Sequence, residues 1–496
     1  VSRVLGFARD LVIAAAFGTG IGAEAFVVSF RIPNLLRDLV GEGAANAAFV
    51  PVLTESHEKK QEEFWTLVST LFFLMTGILI VLSLLGSFFA PQVVRLIAPG
   101  FLSSQDPDKF PLTVHLTRVL FPYVLLISLS ALAMGVLNSL KEFTSSALGP
   151  ILLNLSMIVT GYFFEAAYGP MALVIGVLCG GVLQLACQIP PLVKKGFKVT
   201  KPDWRHPAIR RIGKLLLPRA FGSALYQVNV FVDSILASFE SIVGTGGQSA
   251  LYYSNRFFQL PLAIFGLSLA QAILPTFSTQ MVKRDFQGFK ETFSLAVRSL
   301  MLVVLPASTG LIVLSEPIIR IVFQHGRFDA YSTQITSSAL FFYSFGLLSC
   351  CLIKILANAF YAMQDTRTPV KVMALSVGLN VIFCFLLMRP LKIGGLTLAS
   401  TISATFNMGL LYWCLRKRVG PIDERRILVS FFKIFLATLL MGIAAFFYDR
   451  LILQTHCDAS QLLQALVLGF GILLSALVYF FLTLLLKIEE IKKFIR

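Results

Sequence analysis

Charge is scarce in this sequence. Only 14% of its 496 residues are Asp, Glu, Lys or Arg, against about 25% in an ordinary soluble domain. That shortage excludes a water-facing exterior over most of the chain, because a soluble protein of this length splits into domains with polar surfaces. Long polar connectors are missing as well, the longest being about twenty residues. No acidic metal motif, G-x-S-x-G elbow or P-loop occurs, so the signatures of metal, nucleophile or nucleotide chemistry are absent. Five histidines are scattered. The cysteines, Cys179, Cys187, Cys350, Cys351, Cys384, Cys414 and Cys457, form no C-x-x-C pair. Most lie in apolar runs as small core residues rather than a disulfide or zinc framework. Strict alternation of polar and apolar residues is also lacking, which argues against a β-barrel.

What remains is apolar. Hydrophobic residues make up 56% of the chain and the mean hydropathy is +0.80. Apolar runs follow one another almost without pause, each near or above the roughly 20 residues that cross a bilayer as a helix. The fold class is therefore an all-α polytopic membrane protein. Fourteen segments are expected, near 1–18, 22–54, 64–89, 111–138, 145–166, 170–192, 213–238, 247–279, 288–314, 331–361, 369–388, 394–415, 427–448 and 462–486. Pro33 and the Gly41/Gly43 pair give the second a place to bend. The chain starts at Val1, part-way into an apolar run and without a cleavable signal pattern, so a short N-terminal piece is expected to precede it.

The net charge of +16 does not read as nucleic-acid binding, because the Lys and Arg residues cluster in short connectors. With the N-terminus inside, the runs TESHEKKQEE, KKGFKVTKPDWRHPAIRRIGK, VKRDFQGFK, DTRTPVK, RKRVGPIDERR and KIEEIKKFIR share one side. The opposite connectors hold little beyond Arg95, Lys109, Arg320, Arg327, Arg389, Lys392 and Arg450. That asymmetry places both termini in the cytoplasm. The stretch 194–214 is the longest basic connector and reads as a hinge, lying on anionic lipid as an interfacial helix.

A mid-chain hinge suggests a repeat. AEAFVVSFRIPNLLRDLVG (23–41) aligns with QSALYYSNRFFQLPLAIFG (248–266) at an offset of 225 and matches Arg31 to Arg256. AAFVP (47–51) meets QAILP (271–275) at 224, and LNSLKEFT (137–144) meets FYAMQDTR (360–367) at 223. The steady offset implies two six-helix bundles in parallel orientation. The expected division is a first bundle over 1–193, the basic connector 194–214, a second bundle over 215–418 and two extra helices in 419–496.

Charges inside such a chain are informative, since each costs roughly 2.5–3.5 kcal/mol at the centre of a membrane helix on insertion scales. The first two segments carry Arg3, Arg9, Asp10, Glu24, Arg31, Arg37, Asp38 and Glu42. Residues seven apart share a helix face, which aligns Ser2 with Arg9, Arg3 with Asp10, and Glu24 with Arg31 and Asp38. Internal pairing of Arg3 with Asp10, Glu24 with Arg31, and Arg37 with Asp38 or Glu42 would neutralise part of the set. Arg9 and Arg256 then stand without an evident carboxylate. Arg219, Arg298 and Lys354 add further positive charge, against Asp233 as the main later acid. Arginine suits phosphate, because its planar fork donates two parallel hydrogen bonds and keeps its charge. Arg9, Arg37 and Arg256 from both halves point to a central site for a di- or polyphosphate group entering from the lipid side.

The motifs SRVLGFARD (2–10), PNLLRDLVGEGA (33–44), AFVPVLTE (48–55), APGF (98–101), FPYVLLISL (121–129), GGVLQLACQIP (180–190), YYSNRFFQLP (252–261) and FYAMQDTRTPVK (360–371) resemble the MurJ (MviN) lipid II flippases, part of the multidrug/oligosaccharidyl-lipid/polysaccharide exporter superfamily. The resemblance covers nearly the whole chain. It implies a fourteen-helix inner-membrane flippase that moves an undecaprenyl-pyrophosphate-linked peptidoglycan precursor by alternating access, a monomer among membrane lipids with no nucleic-acid partner. It carries the family's cavity arginines to Arg3, Arg9, Arg37 and Arg256, with Ser2, Asp10 and Glu24 as polar companions. Where some members have an acid beside the eighth-segment arginine, this chain has Asn255. Segments thirteen and fourteen would hold the lipid tail. Some relatives bind sodium, and here Asp233, Asn380 and Thr401 are the corresponding oxygen donors, although Cys384 stands where a second carboxylate would help. Membrane-potential coupling is the alternative, at about 2.3 kcal/mol per charge per 100 mV. A polysaccharide-unit or drug exporter of the same superfamily is the rival reading, but a drug exporter for cations wants an acidic cavity. A membrane glycosyltransferase lacks its carboxylate pair here.

Overall fold

The computed structural model describes residues 2–37, 44–59, 61–456 and 460–491, without the side chains of 36, 37, 44–48, 59, 61, 62, 215–226 and 456. Every regular element among them is helical. Among the described residues nine helices are long and apolar enough to cross a membrane, ten if a pair bent by 45° counts as one span. All fourteen expected segments fall on helix, the second as two helices on either side of 38–43. The first, Ser2–Phe17, is 16 residues long, shorter than the roughly 20 that cross a bilayer. This is a multi-pass membrane protein.

The chain forms two compact units, Val1–Ser241 and Ile242–Arg496. The first contains α1 (Ser2–Phe17), α2 (Ile21–Arg37), α3 (Ala44–Lys59), α4 (Gln61–Phe88), α5 (Ala90–Ile97), α6 (Lys109–Leu120), α7 (Tyr123–Ser139), α8 (Thr144–Phe163), α9 (Met171–Ala186) and α10 (Pro207–Ala237). With no water to drive helices together in lipid, close approach depends on small residues. Gly176 and Gly180 on α9 supply it: a Cβ at either would lie about 3 Å from a backbone atom of α8, at Met157 or Leu153. A second apolar nucleus joins Phe49, Leu53, Phe64, Val68, Leu132, Val136 and Ile212 from α3, α4, α7 and the start of α10.

The stretch after Lys194 departs from expectation. Residues 197–203 are non-helical and strapped to α4 rather than forming an interfacial helix. Ser69 Oγ donates to the Lys198 carbonyl at 3.3 Å, and the Asp203 N–H donates to Thr70 Oγ1 at 2.9 Å. The Phe197 ring packs edge-on against Trp65 at 5.6 Å. These polar anchors satisfy backbone groups that an interfacial helix would have satisfied internally. The compact units divide at Ser241, so the connector and the seventh segment count with the first unit.

A tight joint closes the other end of this unit. The 3₁₀ turn Pro99–Ser103 lies against the end of α10, where the Gly100 N–H donates to Ser238 Oγ at 2.9 Å. A Cβ on Gly100 would drive into the backbone carbonyl of Ser238. Since that obstacle is backbone, Gly100→Ala is expected to cost roughly 1–3 kcal/mol by overpacking. The loss should register as a lower thermal midpoint in detergent than Gly77→Ala produces, Gly77 having open space around its Cβ position.

The second unit contains α11 (Gly247–Pro261), α12 (Ser268–Val282), α13 (Phe286–Val313), α14 (Ser315–Phe323), α15 (Ala330–Ser344), α16 (Leu347–Ala362), α17 (Arg367–Leu391), α18 (Ile393–Val419), α19 (Glu424–Tyr448) and α20 (Gln461–Leu485). Its core is aromatic near the α12–α13 turn, with Phe277 4.8 Å from Phe289 and 6.3 Å from Phe293. The bent pair is α15 and α16. At the break Thr401 of α18 donates to the Phe342 carbonyl at 2.8 Å, occupying an acceptor near the end of α15.

Candidate functional site

α1 carries its charge on a buried face. Arg9 and Asp10 are 8% and 1% exposed, although they are neighbours in an apolar helix. Arg9 donates from Nε and Nη2 to Asp10 Oδ1 at 3.0 and 2.8 Å, and from Nη1 to Asn154 Oδ1 of α8 at 3.1 Å. Asn154 Nδ2 in turn donates to the Ser2 carbonyl at 3.3 Å. The expected assignment of Asp10 to Arg3 and of an unpaired Arg9 is thereby corrected. Adjacent side chains diverge by about 100° on a helix, yet the long guanidinium folds back to its neighbour where lipid offers no better partner. Arg3 is exposed and makes no ion pair among the described residues. A guanidinium fixed on two sides is pre-oriented, which favours directional binding of an anion.

Glu24, in the first turn of α2, is 1% exposed and receives the Lys109 ammonium. Lys109 is fully buried although its sequence neighbourhood reads as a connector. Its Nζ also contacts Glu240 and lies 4.2 Å from the Phe101 ring centroid. Glu240 accepts a further bond from Ser104 Oγ at 2.7 Å. Burial pushes the Glu240 carboxyl upward, but Lys109, Ser104 and the Gln105 N–H outweigh that and hold it below the usual range. One cation thus joins three elements of the first unit.

In the second unit Arg256 is half-buried on α11. Its Nη2 donates to the Tyr252 hydroxyl at 2.7 Å, and the guanidinium carbon sits 4.5 Å over the same ring. The i, i+4 spacing makes this cation–π contact intrinsic to the helix. Arg298 does not join any cationic excess, contrary to expectation. It is 7% exposed and pairs with Glu490 beyond the end of α20. The side chains of Arg37 and Arg219, together with Asp38 and Glu42, lie outside what is described.

The candidate sodium donors are placed as follows. Asp233 is on α10 in the first unit, partly exposed. Asn380 on α17 is fully buried, with Cys384 Sγ 3.8 Å from its Oδ1. Thr401 is buried and commits its proton to the Phe342 carbonyl, so its hydroxyl can act toward anything else only as an acceptor. Among the described residues no group of three or more His, Cys, Asp or Glu is arranged to hold a metal ion.

Sequence spacing missed Lys109, Glu240, Asn154, Tyr252 and Glu490. Asn154 was findable, being a lone amide inside ILLNLSM, because an isolated polar residue at membrane depth needs a partner. Lys109 and Glu240 lie at helix ends, where polarity is unremarkable, and only the tertiary fold brings them together.

One further feature is an apolar groove of about 550 Å³ lined by Leu302, Pro306 and Gly310 of α13, Leu314 just after it, Met441 of α19, and Ser475 and Tyr479 of α20. This is where segments thirteen and fourteen were expected to offer an apolar surface.

Comparison with known proteins agrees with this arrangement. The family model described as lipid II flippase MurJ matches residues 13–467. The chain is 38% identical over 467 residues to a probable lipid II flippase MurJ of Haemophilus influenzae, covering 90% of each. It is 35% identical to the lipid II flippase MurJ of Burkholderia cenocepacia, covering 84% of this chain and 82% of that one. A solved lipid II flippase MurJ in an inward closed conformation superposes with a TM-score of 0.81 at 26% identity, over 100% of this chain and 98% of the other. An inward-facing multidrug transporter of the MATE family shares the fold, with a TM-score of 0.72 at 14% identity over 86% of this chain and 96% of that one. The chain belongs to the lipid II flippase MurJ family.

Proposed function

We propose that this protein is a lipid II flippase of the bacterial inner membrane. It moves the undecaprenyl-pyrophosphate-linked peptidoglycan precursor between leaflets by alternating access, as a monomer with both termini cytoplasmic. The observation that carries the reading is family membership along nearly the full chain. The residues assigned to the headgroup are Arg3, Arg9, Arg37 and Arg256, with Ser2, Asp10 and Glu24 beside them. Arg9 supports the assignment because it is already aimed by Asp10 and Asn154. Glu24 acts through Lys109, so its contribution is to position α2.

The isoprenoid tail is assigned to the groove of α13, α19 and α20, whose lining is almost wholly carbon. Such a groove lets the tail stay in an apolar medium while only the head crosses. No step of this cycle makes or breaks a covalent bond, which makes the protein a transporter rather than an enzyme. Coupling is assigned to a sodium ion held by Asp233, Asn380 and Thr401 or to the membrane potential, and sodium-free vesicles separate the two. The rival reading, a polysaccharide-unit or drug exporter, rests on a likeness to MATE transporters that concerns fold alone.

The test is leaflet accessibility of labelled lipid II in vesicles reconstituted with the purified protein. Accessible label is expected to approach completeness with the protein and to stay near half without it. Equal accessibility in the two preparations, with correctly inserted protein, removes the assignment.

A further inference from the structure

The second unit does not end with α20. After Leu485 the chain turns back, and Ile488, Glu490 and Ile491 are buried again. The reversal is a Schellman turn: the Ile488 N–H donates to the Thr483 carbonyl at 3.2 Å and the Lys487 N–H to the Leu484 carbonyl at 3.1 Å. Such a turn requires a left-handed residue, and Lys487 stands there at φ 50°, where glycine is usual. The turn is held against local preference, so contacts beyond it must keep the segment seated.

Glu490 supplies them. It pairs with Arg298 of α13, and the same oxygen, Oε1, accepts from the Ser430 hydroxyl of α19 at 3.0 Å. Oε2 of Glu490 and Nε of Arg298 are buried without a hydrogen-bond partner among the described residues. A buried ion pair keeps its advantage only when its remaining donors and acceptors are satisfied. This one is a weak clasp. Beside it lies a polar cavity of about 330 Å³, at the start of α19 and the exit of α20. Both helices are membrane spans, so their ends mark a membrane face. Arg425 and Lys433 line the cavity and make no ion pair among the described residues. A Glu490 that leaves Arg298 therefore meets other cations rather than lipid. Arg298 keeps the exposed Glu489 within reach, at 3.9 Å.

The same segment bounds the apolar groove. Among the described residues Ile491 is its one lining side chain from beyond α20. It lies at the Leu302 end, because Arg298, which holds the neighbouring Glu490, is one turn from Leu302 on α13. Leu302 is itself buried, and its carbonyl accepts from the Tyr479 hydroxyl at 2.6 Å. Clasp and groove end are thus worked by adjacent residues, and freeing Glu490 moves Ile491.

We infer that residues 486–491 form a strap with two seats. In the seat seen here Glu490 clasps Arg298 and Ser430, and Ile491 closes the Leu302 end of the groove. In the other, Glu490 turns to Arg425 and Lys433 and that end opens at the membrane face. A half-satisfied clasp, a strained turn and waiting counter-charges make the two seats close in energy, as a switching element requires. The strap then sets when an apolar chain can run the full length of the groove. That this chain is the isoprenoid tail rests on the function proposed above; the motion of the strap does not.

The test is the reactivity of Leu302→Cys toward N-phenylmaleimide, an apolar reagent, on the full chain in phosphatidylcholine nanodiscs. Modification at position 302 is read by peptide mass spectrometry. Adding Glu490→Gln should raise the rate at least fivefold by undoing the clasp. Adding Ile491→Ala, which keeps the clasp and shortens the side chain that closes the groove, should raise it as well. Val372→Cys, similarly buried on α17 and away from the groove, should change less than twofold with either addition. An unchanged rate at 302 in either variant overturns the strap. A rise at 372 equal to that at 302 overturns it too, since the whole unit would then have loosened. No lipid II is present in this measurement, so failure of the strap and failure of flipping are seen separately.

Discussion

Replacing Lys109 with Met is expected to destabilise the first unit by about 3–5 kcal/mol, the usual consequence of removing one partner from a buried ionic group. The Lys109 ammonium is out of reach of water and contacts Glu24, Glu240 and the Phe101 face. Met preserves the stem volume and the contact with Phe101 but removes the ammonium that Glu24 and Glu240 share. Loss of a buried opposite charge favours the protonated carboxyl forms. In detergent the thermal midpoint should fall by about 10 °C, well beyond the effect of Lys371→Met at an exposed site. Lys109→Met with Glu24→Gln and Glu240→Gln should recover most of the loss, since neutral amides can satisfy one another. Equal midpoints for Lys109→Met and Lys371→Met would show that the three groups are not energetically joined. The pH dependence has a definite sign. Glu240 is held below the usual carboxylate range in the folded protein, so its contribution is full above the unfolded value and disappears as pH falls through the folded one.

What could be read in advance follows from where physics is local. Helix positions were legible because lipid requires each crossing segment to satisfy its own backbone, which makes apolar runs and helices coincide. Arg9, Asp10 and Glu24 stood out for the same reason: a charge in such a run is costly wherever it points. Their partners were not legible. Spacing by sevens paired Arg3 with Asp10, whereas the fold uses the adjacent Arg9 and an amide 145 residues away. Lys109 looked like a connector residue because its buried position depends on Gly100 letting the turn close on Ser238. Arg298 looked like surplus charge because Glu490 sits in a terminal run that reads as an exposed tail. Each of these depends on chain segments distant in sequence, about which a helical period carries no information. The connector 194–214 shows the converse, since its basic composition described an exposed strap equally well as an interfacial helix.

Arg256→Ala is expected to lower the rate of lipid II transfer about 100-fold while the protein still accumulates in membranes. The second half of that expectation follows from what Arg256 touches. It is half-buried, and the neutral Tyr252 on its own helix accepts one of its bonds, while α11 keeps its backbone bonds when the side chain is cut back. The first half follows from the chemistry of a pyrophosphate. A charge-assisted, forked contact contributes about 3 kcal/mol when desolvated, and about 2.8 kcal/mol is a factor of 100. Three variants separate charge, fork and orientation. Arg256→Lys keeps the charge but loses the planar fork and should fall between wild type and Ala. Arg256→Gln keeps hydrogen bonding without charge and should resemble Ala. Tyr252→Phe keeps the ring under the guanidinium and removes only the 2.7 Å bond, so a loss of less than tenfold is expected. The measurement is the initial rate of leaflet transfer at matched protein density. A rate for Arg256→Gln equal to wild type would mean that Arg256 does not bear on the phosphates. A Tyr252→Phe defect as large as that of Ala would instead assign Arg256 the role of bracing its own helix, because a group that binds substrate should tolerate losing one of two supports.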